Sequence, residues 1–340
     1  MTESVFLEQL KNALGALRES ERQDIVADFR EYFANGREDG KTDEEIASSL
    51  GDPYELAKEM LVAYTIEDRF EAVVPDKGDF TKVLIESEHA KLIIGPSPDD
   101  QPHAEMMDHT SDTTLSMDVV GDTLEIKVIQ KKRKMFIFNI SFTTTSPVVK
   151  ILLPKRTYES FMVENDNGAT LINEVAALIY KVESDNGRIE VQDAVAEEFQ
   201  AVTDNGRVML TNVKARNVHA ETDNGRIELK SIEALSVYAK SDNGRIELEK
   251  VIGKLHAETD NGRINAYIPI VTQAVRFETD NGAIELAMDR QPENATIRTK
   301  KDWGSVEIFG EKARERVFGD GSTLIDLKTD NGSIKVKNRM

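Results

Sequence analysis

"HAETDNGRIELKSI", residues 219–232, holds one Asp-Asn-Gly triplet between two arms in which apolar and polar residues alternate. The triplet recurs. It begins at Asp166, Asp185, Asp204, Asp223, Asp242, Asp260 and Asp280, in steps of 19, 19, 19, 19, 18 and 20 residues. A variant, Asp-Trp-Gly, begins at Asp302, and a last Asp-Asn-Gly begins at Asp330. Around each triplet the apolar places are fixed: Val218 and Ala220 before Asp223, Ile227 and Leu229 after it, and Ile232 further on. Strict alternation over short arms is the pattern of half-buried strands, so each repeat reads as two short strands joined at a glycine corner.

Two architectures fit. Asn-Gly between alternating arms is a strong hairpin signal, which allows a meander of hairpins. The rival is a solenoid, in which each repeat is one coil stacked on the next. A tight hairpin would set Glu221 opposite Glu228 and Glu278 opposite Glu285, unfavourable cross-strand pairs. A solenoid also stacks like charges, notably Glu228 over Glu247. The near-constant step favours the solenoid, because stacked coils must share one circumference and hairpins need not. The expected fold class is therefore α+β in separate domains: a small all-α N-terminal domain, then an all-β parallel β-solenoid with coils of about 19 residues. Roughly nine coils rising about 4.8 Å each would make a rod near 40 Å long.

Stacking turns each repeat position into a column. Asn167, Asn186, Asn205, Asn224, Asn243, Asn261 and Asn281 would hydrogen-bond to one another as a ladder. Gly168, Gly187, Gly206, Gly225, Gly244, Gly262 and Gly282 are expected to supply left-handed corners. The aspartates are expected to accept backbone N–H bonds in their own turns, with stacked carboxylates holding Ca²⁺ as the sharper alternative. Arg188, Arg207, Arg226, Arg245 and Arg263 form an outward row. Neighbours about 4.8 Å apart in water repel by about 1 kcal/mol, so the row needs partners, and Glu190, Glu228 and Glu247 lie two residues on. A compensated charge lattice is the plain reading. An anion or ligand ladder is the functional one.

From residue 80 to about 160 lie further strand patterns, which can cover one open end of the array, while "SIKVKNRM" (333–340) would protect the other with Lys335, Lys337 and Arg339. "GPSPDDQPHAEMMDHTSD" (95–112) reads as a polar loop; His103, Asp108 and His109 in it lack metal-ligand spacing. "KKRK" (131–134) before "MFIFNISF" (135–142) reads as a charged loop, or as a membrane-surface contact. His219 and His256 sit two coils apart, too far to share a metal, and Trp303 reads as a packing cap.

The first 64 residues carry helical periodicity. Phe6, Leu7, Leu10, Leu14 and Leu17 make one stripe, with Thr2 or Ser4 as N-cap; Ile25, Phe29, Tyr32 and Phe33 make a second, ended by Gly36 and Gly40. Thr42 and Glu45 form a capping box, Gly51 stops that helix, and Asp52 caps the next with Pro53 in its first position. Two helices about a glycine turn raise a DNA-binding reading, but Glu55 and Glu59 on the second would repel phosphate. "FLEQLKNAL" (6–14) and "FREYFANGREDGKTDEEIASSLGDPYELAKEML" (29–61) resemble the bacterial HAAS-type helical domain. That family is tied to signalling and membrane-associated proteins and carries no known catalytic residues. "AKLIIGPSPDD" (90–100), "VVGDTLEIKV" (119–128) and "VVKILLPKRTYESFMVENDNG" (148–168) resemble a bacterial adhesin-type β-strand-repeat family of unknown function. The resemblance implies a β-solenoid and a role in cell-envelope stress, with no ligand residues to carry over.

Composition bounds the rest. The 340 residues hold 62 acids against 43 Lys and Arg, a net charge of −19, which argues against nucleic acid as a partner. Without cysteine there are no disulfides or thiolate metal sites. No apolar run approaches a membrane span and the acidic, amphipathic start is unlike an export signal, so the expected location is the cytoplasm, or the membrane periphery. The expected organisation is a helical domain over 1–66, a linker over 67–79 and the repeat domain over 80–340, with regular repeats in 161–340. The expectation is a non-catalytic interaction or scaffold protein of cell-envelope stress signalling, without metal or cofactor, whose helical head meets a protein partner or an envelope component. The alternative is a carbohydrate- or anion-binding, adhesin-like solenoid at the cell surface.

Overall fold

The computed structural model describes residues 1–15, 19–38, 40–64, 71–73, 79–108, 113–130 and 146–339. The chain divides into two compact units, one drawn mainly from residues 1–69, the other from 70–106, 114–130 and 148–340. "KKRK", "MFIFNISF", Leu17 and His109 lie outside the described residues.

The first unit packs α1 (Glu3–Ala13), α2 (Glu19–Glu38), α3 (Asp43–Leu50) and α4 (Pro53–Tyr64). Phe6, Leu10, Leu14, Ile25, Phe29, Phe33 and Ile46 form its core, with the Phe6 ring 6.1 Å from Phe29 and 5.6 Å from Phe33. The capping box at Thr42 and Glu45 is complete, and Asp52 accepts the Tyr54 and Glu55 N–H groups at 2.8 and 3.2 Å. The start of α1 differs from expectation. Thr2 is its N-cap residue but makes no side-chain cap bond. Asp43 supplies the acceptor instead, taking the Glu3 N–H at 3.1 Å, while Arg37 bridges Glu3 and Asp43 at 2.7 and 3.1 Å. Gly36 does not end α2 either. It lies inside the helix, where a β-carbon would come 2.7 Å from Ile46 Cδ1, so its role is to admit α3; Gly40, at φ 81°, makes the left-handed exit.

The second unit is a parallel β-solenoid, and the hairpin alternative is excluded by its register. Ile189–Thr203, Val208–Thr222, Ile227–Ser241 and Ile246–Thr259 pair side by side, every partner 18 or 19 residues apart, so that Ile227 lies on Val208 and beneath Ile246. Each long strand faces the core with alternate residues: the interior columns run through Ile189, Val208, Ile227 and Ile246, and through Ala201, Ala220, Ala239 and Ala257. The irregular steps have local causes. The 18-residue step drops one residue where Gly253 (φ 141°) passes over Ala234, and the 20-residue step is taken up between Tyr267 and Val275.

Both ends depart from chain order. The first coil, Lys82–Ser87 with Lys91–Pro96, lies between Thr123–Gln130 with Val148–Leu153 on one side and Thr157–Asn165 with Thr170–Asn173 on the other. The last coil, Thr323–Asn331 with Ile334–Asn338, is inserted between Val275–Thr279 with Ile284–Met288 and Ala295–Trp303 with Val306–Ile308. Lys335, Lys337 and Arg339 therefore belong to an inner rung and do not protect an end. Added strands cover the edges: Glu315–Phe318 runs antiparallel on Ala295–Arg298, and His103–Met107 pairs with Val148–Leu153. His103–Met107, expected within a loop, buries Ala104 and Met106 and pairs with Glu71–Val73, which falls in the segment expected as linker. Trp303 stands in register with Asn331 but is 76 % exposed, so it packs as no cap.

Candidate functional site

At each triplet three residues divide the work. The asparagines form a continuous outward ladder: Asn186 Nδ2 donates to Asn167 Oδ1 at 2.9 Å, and the bond repeats through Asn205, Asn224, Asn243, Asn261, Asn281 and Asn331 at 2.9–3.0 Å. The glycines bring successive backbones together. A β-carbon on Gly225 would lie 1.6 Å from the Gly206 carbonyl oxygen, and one on Gly244 would lie 1.5 Å from that of Gly225. Of the seven expected left-handed glycines only Gly168 has positive φ; in the other six close stacking is the constraint.

The residue before each aspartate forms a buried column that sequence reasoning passed over. Thr203, Thr222, Ser241, Thr259, Thr279 and Thr329 donate their hydroxyls to Gly187, Gly206, Gly225, Gly244, Gly262 and Gly282 carbonyls at 2.9–3.0 Å. A Thr or Ser before every Asp-Asn-Gly except the first, which follows Asn165, was the available signal. The left-handed corner lies elsewhere: Glu174, Asp193, Asn212, Ser231 and Lys250, all at φ 54–55°, turn the chain just before the buried Val175, Ala194, Val213, Ile232 and Val251. The aspartate side chains make no hydrogen bond to their own turns among the described residues, contrary to expectation; Asp242 instead lies 3.7 Å from Lys240. Among those residues no three acids or histidines gather as a metal site.

Outward from the core, the arginine row meets its glutamates. Arg188 lies 3.6 Å from Glu190, Arg226 3.0 Å from Glu228 and Arg245 3.1 Å from Glu247. Arg207 has Met209 in place of a glutamate and reaches Glu228 on the next rung at 3.9 Å. Arg263 has Asn265 at that position and, among the described residues, no ion-pair partner. Around it lies an open depression of about 810 Å³ lined by Asn265, Tyr267, Glu249, Glu285, Lys337 and Arg339, among others.

A second outward column stacks His219, Tyr238 and His256, with ring centroids 5.1 and 5.2 Å apart, so a tyrosine separates the two histidines. Burial, then the Glu258 carboxylate 2.5 Å from its hydroxyl, pushes Tyr238 well above the ordinary tyrosine range. Further along, the Lys328 ammonium and then the Arg276 guanidinium hold Glu278 below the usual carboxylate range. In the N-terminal part of the unit, a hydrogen bond from His103 lowers Asp99 to about 2. Each of these groups is held by its partner in a pair.

Several solved structures are similar to the chain at low identity. An adhesin candidate from Bacteroides fragilis is 14 % identical, with 80 % of this chain and 98 % of that one covered at a TM-score of 0.40. A candidate lipid-binding protein from Parabacteroides distasonis is also 14 % identical, with 81 % and 98 % covered at 0.44. A candidate cell adhesion protein from Clostridium sporogenes is 11 % identical, with 80 % and 99 % covered at 0.25. No curated protein matches the chain. Residues 6–59 match the HAAS family. Residues 80–337, the greater part of the chain, match the family described as Toastrack DUF4097, and the chain belongs to that family.

Proposed function

We propose that the protein is a non-catalytic interaction protein of bacterial cell-envelope stress signalling, cytoplasmic or at the membrane periphery, whose helical unit docks a protein partner and whose solenoid presents a fixed, patterned face. Nucleic acid has no part in this reading, since the surface is strongly acidic. The observation that carries it is a groove of about 550 Å³ on the helical unit, with Leu7 and Val26 among its lining and Glu8, Lys11, Arg30 and Asp43 around them. Apolar contact framed by both signs of charge is what a specific protein partner reads. On the solenoid's outward face Arg188, Arg226 and Arg245 each pair with a glutamate of their own rung, which suits a stable scaffold. The matches to HAAS and Toastrack DUF4097 agree with this reading.

Affinity capture from envelope-stressed cells tests it, with the full chain and an E8K/R30E variant as baits. The expected result is a partner retained by the first and lost by the second at equal melting temperature. Identical capture by both would remove the groove from the interaction.

A further inference from the structure

The arginine row has one gap, and its neighbours cannot fill it. Where Met209 leaves Arg207 without a glutamate, the next rung's Glu228 serves two arginines, at 3.0 and 3.9 Å. Asn265 sits between Glu247 and Glu285 in the same column. Glu247 is engaged by Arg245 at 3.1 Å, and Glu285 by Lys337 at 2.6 Å. Glu249, on the adjoining column, lies 3.5 Å from Lys230. Each carboxylate around the depression already has its cation, and Arg263 is exposed and unpaired among the described residues.

We propose that this depression binds an acidic sugar, a hexuronate residue of a saccharide, with Arg263 holding its carboxylate. The free guanidinium calls for a planar carboxylate, which it can bind in two parallel hydrogen bonds. The surrounding glutamates set the rest of the ligand's chemistry. They repel two negative charges concentrated on one group, which disfavours phosphate dianions over carboxylates spaced a sugar ring apart, while their spare lone pairs accept from hydroxyls. Asn265 adds an amide that both donates and accepts. Tyr267 anchors one wall: its hydroxyl donates to Asp289 at 2.8 Å and the Arg339 guanidinium lies 3.8 Å from its ring centroid. Ala287, in register with Tyr267, leaves room beside the ring. The volume suits one or two sugar residues. The site narrows the five-arginine ladder to its one free member and does not depend on the helical unit's docking role.

Calorimetric titration of the full chain with digalacturonate, its neutral digalactose counterpart and inorganic phosphate is the test, at low salt. Digalacturonate is expected to bind about tenfold or more tightly than either of the others, the usual weight of a charge-assisted contact. Asn265→Glu restores the repeat's own residue, gives Arg263 an internal partner, and is expected to reduce that binding by about tenfold or more with no fall in melting temperature. Arg263→Gln should do the same and serves if the first variant misfolds. No binding of digalacturonate to the intact protein, equal binding of digalactose or phosphate, or full binding by both variants would overturn the proposal.

Discussion

A single hydrogen atom in place of a methyl group sets how closely the rungs approach. With a β-carbon on Gly225 only 1.6 Å from the Gly206 carbonyl, Gly225→Ala has no local relief, because the obstruction is backbone. Two rungs must separate or shear, so the variant should lose about 3 kcal/mol or more in denaturant unfolding, beyond an ordinary overpacking defect. A loss under 1 kcal/mol would show the corner to be pliable. Lys250 poses the reverse case. It holds φ 55°, a region that disfavours a β-carbon, and its side chain is exposed. Lys250→Gly should therefore stabilise by about 1 kcal/mol, read as a rise in melting temperature; a fall would mean the backbone there carries no strain. The glycine column was plain in the sequence, but the reason for it was not. Glycine signals both positive φ and close approach, and only coordinates separate the two. The true left-handed column hid behind five different residue types, of which Asn212 and Asp193 alone are habitual there.

Between neighbouring rungs, the buried threonines and exposed asparagines offer two kinds of hydrogen bond of similar length and unequal worth. Thr222 is 1 % exposed and its hydroxyl meets the Gly206 carbonyl at 2.9 Å. Thr222→Val keeps the shape and leaves that carbonyl in the core without its donor, which costs about 1–3 kcal/mol. Asn224→Ala removes two ladder bonds, to Asn205 and from Asn243, both 2.9 Å. Water replaces them on the exposed surface, so the expected loss is about 0.5–1.5 kcal/mol. Equilibrium urea unfolding of the two variants should rank Thr222→Val as the weaker protein; the opposite order would make the outward ladder the principal clamp. The ladder could be foreseen from the spacing alone, since equal steps put equal residues in register. The threonine column could not, because a Thr before a turn also suits an exposed strand end, and its burial depends on how far the corner folds inward.

For the solenoid as a whole, the inserted first and last coils decide where it frays. A stacked array opens from its outer rungs, whose strands have a parallel neighbour on one side only. Were spatial order the same as chain order, the C-terminal residues would exchange first. Here Thr323–Asn331 has parallel partners on both sides, Val275–Thr279 and Ala295–Trp303, and Ile334–Asn338 likewise lies between Ile284–Met288 and Val306–Ile308. To free the C-terminal coil, two interfaces must part; to free the coil before it, one parallel interface and a short antiparallel strand suffice. None of this was visible in the spacing, because the 50-residue contact between Asn281 and Asn331 leaves the same trace as a decaying repeat. Hydrogen exchange by mass spectrometry should then show peptides from 323–338 protected longer than those from 295–308, and peptides from 82–96 longer than those from 123–130 and 148–153. Protection that falls steadily towards the C-terminus would mean that the last coil is held loosely, and that the outer rung, not the inserted one, closes the stack.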